Sequence, residues 1–443
     1  MNINQRLNAL GLELPFILTP KNIDTKWPVI ACDQFTQDRS YWNNVKETVG
    51  GSPSTLNLIF PEVFLNDGDA AQRIAAIHSN MTNYLQNGIF APPKQGFVYI
   101  ERDTPYNKKR RGLAVAVDLE KYEWKPNARP LIRCTEGTVE DRLPPRMDIR
   151  RGAPLELPHV LLLIDDETDT LLPALGEMVK KNPPIYDTPL MMESGRAAGW
   201  FLDASDNAET IAFVVEKLEE LCTRSVNRYG EDSPFLFAVG DGNHSLASAK
   251  AIWEEYKDAG TSNFDPDHPC RYALVEIENL YDPAISFEPI HRVVFGLDLE
   301  ATLRQLSALP GFSSRMIAGR EELVRLCSAP VPGNRFGLIG DKRCVLVETS
   351  AGGISTASLQ PLLDTAAGAP GAEILIDYIH GTDELFRLAT APGRPVCGIL
   401  LPPVQKSGFF ETVAAGGPLP RKSFSMGEAE EKRFYVECRK LFG

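Results

Sequence analysis

The chain lacks nearly everything that would tie it to a membrane, a nucleic acid or a disulfide framework. No run of about 18 apolar residues occurs anywhere in it, so no transmembrane helix is expected. The opening stretch, MNINQRLNALGLELPF, has no basic segment ahead of an apolar core, which argues against a secretory signal. Positive charge is scarce: 46 Lys and Arg stand against 59 Asp and Glu, a net charge of -13, which disfavours nucleic acid and anionic membrane as partners. The 8 cysteines include no C-x-x-C pair. A zinc ribbon or redox dithiol is therefore not expected, and scattered thiols suit a reducing cytoplasm.

Familiar catalytic signatures are missing as well. There is no G-x-x-x-x-G-K-[ST], no G-x-G-x-x-G after the first strand, no H-E-x-x-H and no G-x-S-x-G. These absences argue against a P-loop enzyme, a Rossmann dehydrogenase, a zincin and an α/β-hydrolase. What is present is an ordinary globular composition, 43% hydrophobic and 24% charged, over 443 residues. That length carries two or three domains or one large two-lobed unit.

The pattern predicts a mixed α+β and α/β fold. Residues 1–150 read as strand-rich, with short apolar runs at 29–35, 54–60, 96–102, 111–119 and 130–136, and one helix over 68–87. Residues 151–300 alternate strands with helices, namely strands at 159–166, 199–203 and 271–280 and helices over 168–181 and 207–229. Residues 301–443 read as α+β. Helices are expected near 298–308, 318–328, 373–390 and 427–441, with strands at 335–340, 343–349 and 396–403. KKRR at 108–111 reads as a solvated hairpin turn.

The chemistry concentrates in FLFAVGDGNHSLASAKAIWEEY, 235–256. A buried strand leads into a polar turn holding Asp241, Gly242, Asn243, His244 and Ser245, and a helix follows. Free N–H groups at a helix start favour a phosphate or carboxylate. Asp241 could accept a hydroxyl proton or help hold a divalent cation, and His244 could act as acid, base or phosphoryl donor. The same residues also suit plain helix capping and an Asx turn, and that alternative stays open.

Two further clusters could complete a site. IRCTEGTVEDRLPPR, 132–146, sets Arg133, Glu136 and Arg142 around Gly137, in a pattern suited to anions or to surface ion pairs. VIACDQFTQDRSYW, 29–42, places Asp33 at a strand end as a base, an ion ligand or a simple helix-start charge. MMESGRAAGWFL, 191–202, adds Arg196.

Taken together, ACDQFT with YW, TEGTVEDRLPPR, MESGRAAGWF, GDGNHSLA, HPCRYALVEIENLYD and FEPIHRVVF resemble the bacterial family catalogued as domain of unknown function 1015. The resemblance covers nearly the whole chain and implies one cooperative unit. Its commoner D-G-H-H-R turn is similar to a turn of the ParB/sulfiredoxin-like fold, which includes nucleotide-binding regulators and free-serine kinases. By that resemblance Asp241, Gly242 and His244 face a phosphate or its metal, with Asn243 and Ser245 beside them. This chain has Asn243 and Ser245 where the commoner turn has His and Arg, so the missing charge would come from Arg133, Arg142 or Arg196. The resemblance implies a phosphotransferase acting on a small hydroxylated metabolite such as serine, using ATP or ADP. Mg²⁺ would be held by Asp241 or Asp33, and Asp241 or Glu136 would act as base. The alternatives are a nucleotide-binding regulator without transfer chemistry and a hydrolase of an anionic metabolite.

Overall fold

The computed structural model describes residues 1–442 apart from 107, 108, 126, 260–263 and 392–394. The chain forms two units. Unit 1 comprises residues 1–285 together with 427–443, and unit 2 comprises 286–426. The fold is mixed α/β, as the pattern of the sequence predicts.

Unit 1 is built on a mixed sheet of thirteen strands among the described residues. Towards one edge the strand Phe237–Asp241 runs parallel to Ile132–Cys134 and antiparallel to Leu161–Ile164. Leu161–Ile164 in turn runs parallel to Tyr272–Asn279. The long strands Lys109–Asp118, Lys94–Asp103 and Arg196–Asp203 continue the sheet in antiparallel register. The apolar runs explain the middle of the sheet. Leu161 to Ile164 and Phe237 to Val239 are fully buried, as strands covered on both faces must be. The helices Ala70–Gln86, Ala208–Tyr229 and Asn243–Asp258 form where the sequence shows helical periodicity.

One face of this sheet is charged and buried. Arg102 lies opposite Arg110, and Glu278 lies opposite Gly112. The two-residue period of the strands puts Arg102, Arg110, Glu276 and Glu278 on the same side. Arg110 Nε stands 2.8 Å from Glu278 Oε1, both side chains being almost wholly buried. Gly112 makes room for this cluster, since a Cβ there would stand 1.9 Å from Glu276 Oε1. The expected solvated turn at 108–111 is thus corrected: Lys108 lies outside the described residues, Lys109 opens a strand, and Arg110 is buried against Glu278.

The C-terminal segment crosses this face. The Arg102 guanidinium donates to the carbonyls of Glu430, Glu431 and Lys432. Arg433 Nη1 stands 2.8 Å from Glu276 Oε2, and Tyr186 donates to Glu437 at 2.5 Å. With Arg102 claiming the carbonyls of 430–432, the segment 427–441 is not the expected helix. It forms a short 3₁₀ turn and two strands instead, Phe434–Tyr435 paired with Val29–Ile30 and Cys438–Lys440 paired with two further strands.

Two other expectations are corrected. Residues 54–60 are not a strand but contain the 3₁₀ helix Thr55–Leu58, because Ser54 Oγ accepts from Leu56 N and Thr55 Oγ1 bonds to Trp27 and Val29. Such side chains offer the backbone a local alternative to a ladder. Residues 373–390 divide into the strand Leu375–Ile379 and the helix Thr382–Ala389, with Gly381 at φ +81° between them. Unit 2 is an antiparallel sheet of six strands among the described residues, with its own apolar core around Leu299, Phe336, Leu338 and Leu359.

Burial, helped by the neighbouring Glu276 and Asp282, outweighs Arg110 and raises the Glu278 carboxyl to about 8. A raised carboxyl binds its proton more tightly when folded. Its contribution to stability is complete below the unfolded value and is lost as pH rises through about 8. Denaturant titrations from pH 5 to 8.5 should therefore show stability falling, with a slope from this group of up to about 1.4 kcal/mol per pH unit. Glu278→Gln should flatten that part of the profile, and an unchanged slope would rule the carboxyl out as its source.

Candidate functional site

The strand Phe237–Asp241 ends at a turn whose geometry requires glycine. Gly242 has φ +83° and serves as N-cap of the helix Asn243–Asp258, with no side chain capping the first turn. A Cβ at this position would stand 3.0 Å from Val160 Cγ2 and 3.1 Å from Val160 Cα. Backbone conformation and close approach thus select the same residue. The sixteen-residue helix that follows directs its positive dipole end at the corner.

The loop after Ile132–Cys134 folds against the turn. Thr135 N donates to Asn243 Oδ1 at 3.2 Å, and Thr135 Oγ1 donates to Val239 O at 2.5 Å. Val139 N donates to His244 Nε2 at 3.3 Å. Nε2 therefore accepts, and the neutral imidazole of His244 carries its proton on Nδ1. Glu136 sits half-buried in this loop between the two bonds. The structure thus brings Glu136, Asp241, Gly242, Asn243, His244 and Ser245 into one corner. Arg142 follows on the 3₁₀ turn Glu140–Arg142, exposed, with its carbonyl accepting from Arg146 Nη1 at 2.7 Å.

The other two arginines go elsewhere. Arg133 donates to the carbonyls of Pro130, Ser233 and Pro234 and lies over the Phe235 ring, at the opposite end of the strand from Asp241. Arg196 pairs with Asp187 on an exposed hairpin, five strands away across the sheet.

The cation beside the turn is one the sequence reading missed. Lys432 Nζ stands 3.2 Å from Asp241 Oδ2, with the lysine side chain 8% and the aspartate side chain 24% exposed. Lys432 belongs to the C-terminal segment held by Arg102, so no local signal near Asp241 announces it. His159 was missed too, although it immediately precedes the buried run VLLLI. Its Nε2 lies 2.7 Å from Ser245 Oγ and its Nδ1 lies 2.8 Å from Tyr435 OH. Asp33 lies in the turn after Val29–Ile30 and accepts from the Gln34 side chain at 2.9 Å. Its charge is felt by Glu62 and Tyr435. Glu62 forms an ion pair with Arg146, and burial pushes its carboxyl upward while Arg146 pulls it back.

Among the described residues no three His, Cys, Asp or Glu side chains converge as a metal cage. A cavity of about 520 Å³ lies wholly within unit 2, but its charged lining is only Arg335 and Glu411, and Arg335 is committed to Glu348. The concentration of chemistry is in unit 1. No helix among the described residues is long and apolar enough to cross a membrane.

Comparison with known proteins places the chain in a family without assigning it a reaction. No curated protein matches it. Among solved structures, a free serine kinase in complex with AMP is 14% identical, with 74% of this chain and 92% of that one covered and a TM-score of 0.38. A variant of that kinase in complex with ADP is 15% identical, with 76% and 95% covered and a TM-score of 0.38. A conserved hypothetical protein from Pyrococcus furiosus is 14% identical, with 74% and 95% covered and a TM-score of 0.35. Likenesses at that level carry no argument about mechanism. A family model matches residues 14–366, and the chain belongs to that family, described as protein of unknown function (DUF1015).

Proposed function

We propose that the protein is a phosphotransferase acting on a small hydroxylated metabolite, with a nucleotide whose phosphates rest on the turn Asp241–Ser245. The observation that carries this reading is the junction of an uncapped helix start with Lys432, 3.2 Å from Asp241. Amide donors and an ammonium on one corner are a phosphate cradle in chemical terms. Lys432 takes the part expected of an arginine. It offers a point charge that can turn from Asp241 to a phosphate oxygen.

In this reading the bond from phosphorus to the nucleotide's leaving oxygen breaks as the bond to the substrate hydroxyl oxygen forms. The hydroxyl proton passes to a carboxylate. Asp241, whose carboxylate also holds the Lys432 ammonium and the Gly242 N–H, or Glu136 takes that role. His244 would contact the transferring group. Mg²⁺ would arrive with the nucleotide, held largely by phosphate oxygens and water, with Asp241 or Asp33 as a single protein ligand.

One observation favours a second reading, a nucleotide-binding regulator without transfer. The side chains of Asn243 and His244 both accept from backbone amides of the 135–139 loop, so the turn is braced as it stands. Incubation with ATP or ADP, Mg²⁺ and a panel of hydroxylated metabolites including serine separates the two. Phosphorylated product is expected, and a nucleotide-induced rise in melting temperature with no product would select the regulator.

Two variants test the corner itself. Lys432→Met should weaken nucleotide affinity about tenfold or more in calorimetry, the cost of one charge-assisted bond. Unchanged affinity would remove Lys432 from the site. Gly242→Ala should destabilise the fold by about 1–2 kcal/mol through the left-handed backbone and lower nucleotide affinity as well. A variant as stable as the parent would contradict the turn geometry.

A further inference from the structure

A cavity of about 140 Å³ reaches the corner from the other side of Ser245. Its wall is apolar, formed by Leu58, Phe60, Met81, Ile149 and Leu155 among others, and its polar groups include Glu62, Arg146, His159 and Ser245. The polar groups are linked. Glu62 N donates to Cys32 O at 2.8 Å, and Cys32 N donates to Tyr435 OH at 3.2 Å. Tyr435 OH meets His159 Nδ1 at 2.8 Å, and His159 Nε2 meets Ser245 Oγ at 2.7 Å.

One arrangement of protons along this chain leaves a donor facing the cavity. The phenol oxygen of Tyr435 already accepts from Cys32, and burial holds the phenol protonated well beyond its ordinary range. With its hydrogen on His159 Nδ1 rather than on the Cys32 side chain, the imidazole proton sits on Nε2 and donates to Ser245 Oγ. In that arrangement the serine hydroxyl hydrogen is the outlet of the relay. Ser245 lines the cavity, so that hydrogen is available to an acceptor oxygen within it.

We propose that this cavity binds an aliphatic α-amino acid larger than serine, with its ammonium at Glu62, its carboxylate at Arg146 and Ser245, and its side chain against the apolar wall. The inference goes beyond the phosphotransfer reading and stands apart from it, because an aliphatic side chain carries no hydroxyl to accept a phosphoryl group, and the cavity is then a ligand site beside the turn. The charges argue for a zwitterion. Glu62 and Arg146 are an acid and a base side by side, and Asp33 adds negative charge nearby. A simple fatty acid would set its carboxylate against Glu62 with no ammonium to balance it. A simple alkylamine would leave Arg146 and Ser245 unmet. Serine would satisfy the polar end and leave the wall in contact with water.

Calorimetry on the full chain tests this with L-leucine, L-serine, hexanoate, hexylamine and ADP as separate probes. Leucine carries about three more carbon groups than serine into the cavity, which predicts an affinity ratio of about fifty-fold. Leucine should also bind more tightly than hexanoate and hexylamine, and Ser245→Ala should weaken leucine about fivefold through loss of one hydrogen bond. Leucine no tighter than serine, or equalled by hexanoate or hexylamine, would overturn the proposal. Unchanged leucine affinity in Ser245→Ala would do the same. Leucine binding without ADP binding would uphold the cavity assignment and remove the phosphotransfer reading. ADP binding without a leucine preference would do the reverse.

Discussion

Arg102 and Arg433 hold the C-terminal segment against the charged face of the unit 1 sheet, and the site depends on that attachment. Arg433 sits between Glu276 and Glu437, and Arg102 gathers three successive carbonyls of the same segment. Once these ions are buried, removing one partner strands the other, at a cost of about 3–5 kcal/mol. The segment is thereby fixed in place and register, and two of its side chains arrive where local sequence offers none. Lys432 meets Asp241, and Tyr435 meets His159. The charged face thus couples a fold constraint directly to the chemistry of the corner.

The corner itself joins three stretches far apart in sequence. The turn 241–245 supplies the helix start, the loop 135–139 braces it through backbone amides, and the C-terminal segment supplies the cation. On the far side of Ser245 the relay through His159 and Tyr435 leads to an apolar cavity. One helix start therefore separates two environments. In the proposed reading one takes phosphate and the other a carbon-rich zwitterion.

How far the sequence revealed this depends on the range of the interaction. The strand, glycine turn and helix at 235–256 were legible because each signal is local: an apolar run, a residue free of Cβ, and helical periodicity. Ser54 and Thr55 were misread as part of a strand because their side chains satisfy the backbone in a 3₁₀ turn, which apolar content does not reveal. The C-terminal segment has helical composition, but Arg102, more than 300 residues earlier, takes its carbonyls. Arg133 looked like an anion ligand from its glycine-flanked loop, yet its partners are carbonyls about 100 residues on. Lys432, Glu62 and His159 carry no motif, and only the fold brings them to the corner.

The central claim is that the 241–245 turn and Lys432 together hold nucleotide phosphate. A crystal structure with ADP bound tests it most directly. The account predicts phosphate oxygens within hydrogen-bond distance of the Asn243–Ser245 amides and of Lys432 Nζ. Phosphates bound elsewhere, with Lys432 still closed on Asp241, would contradict it.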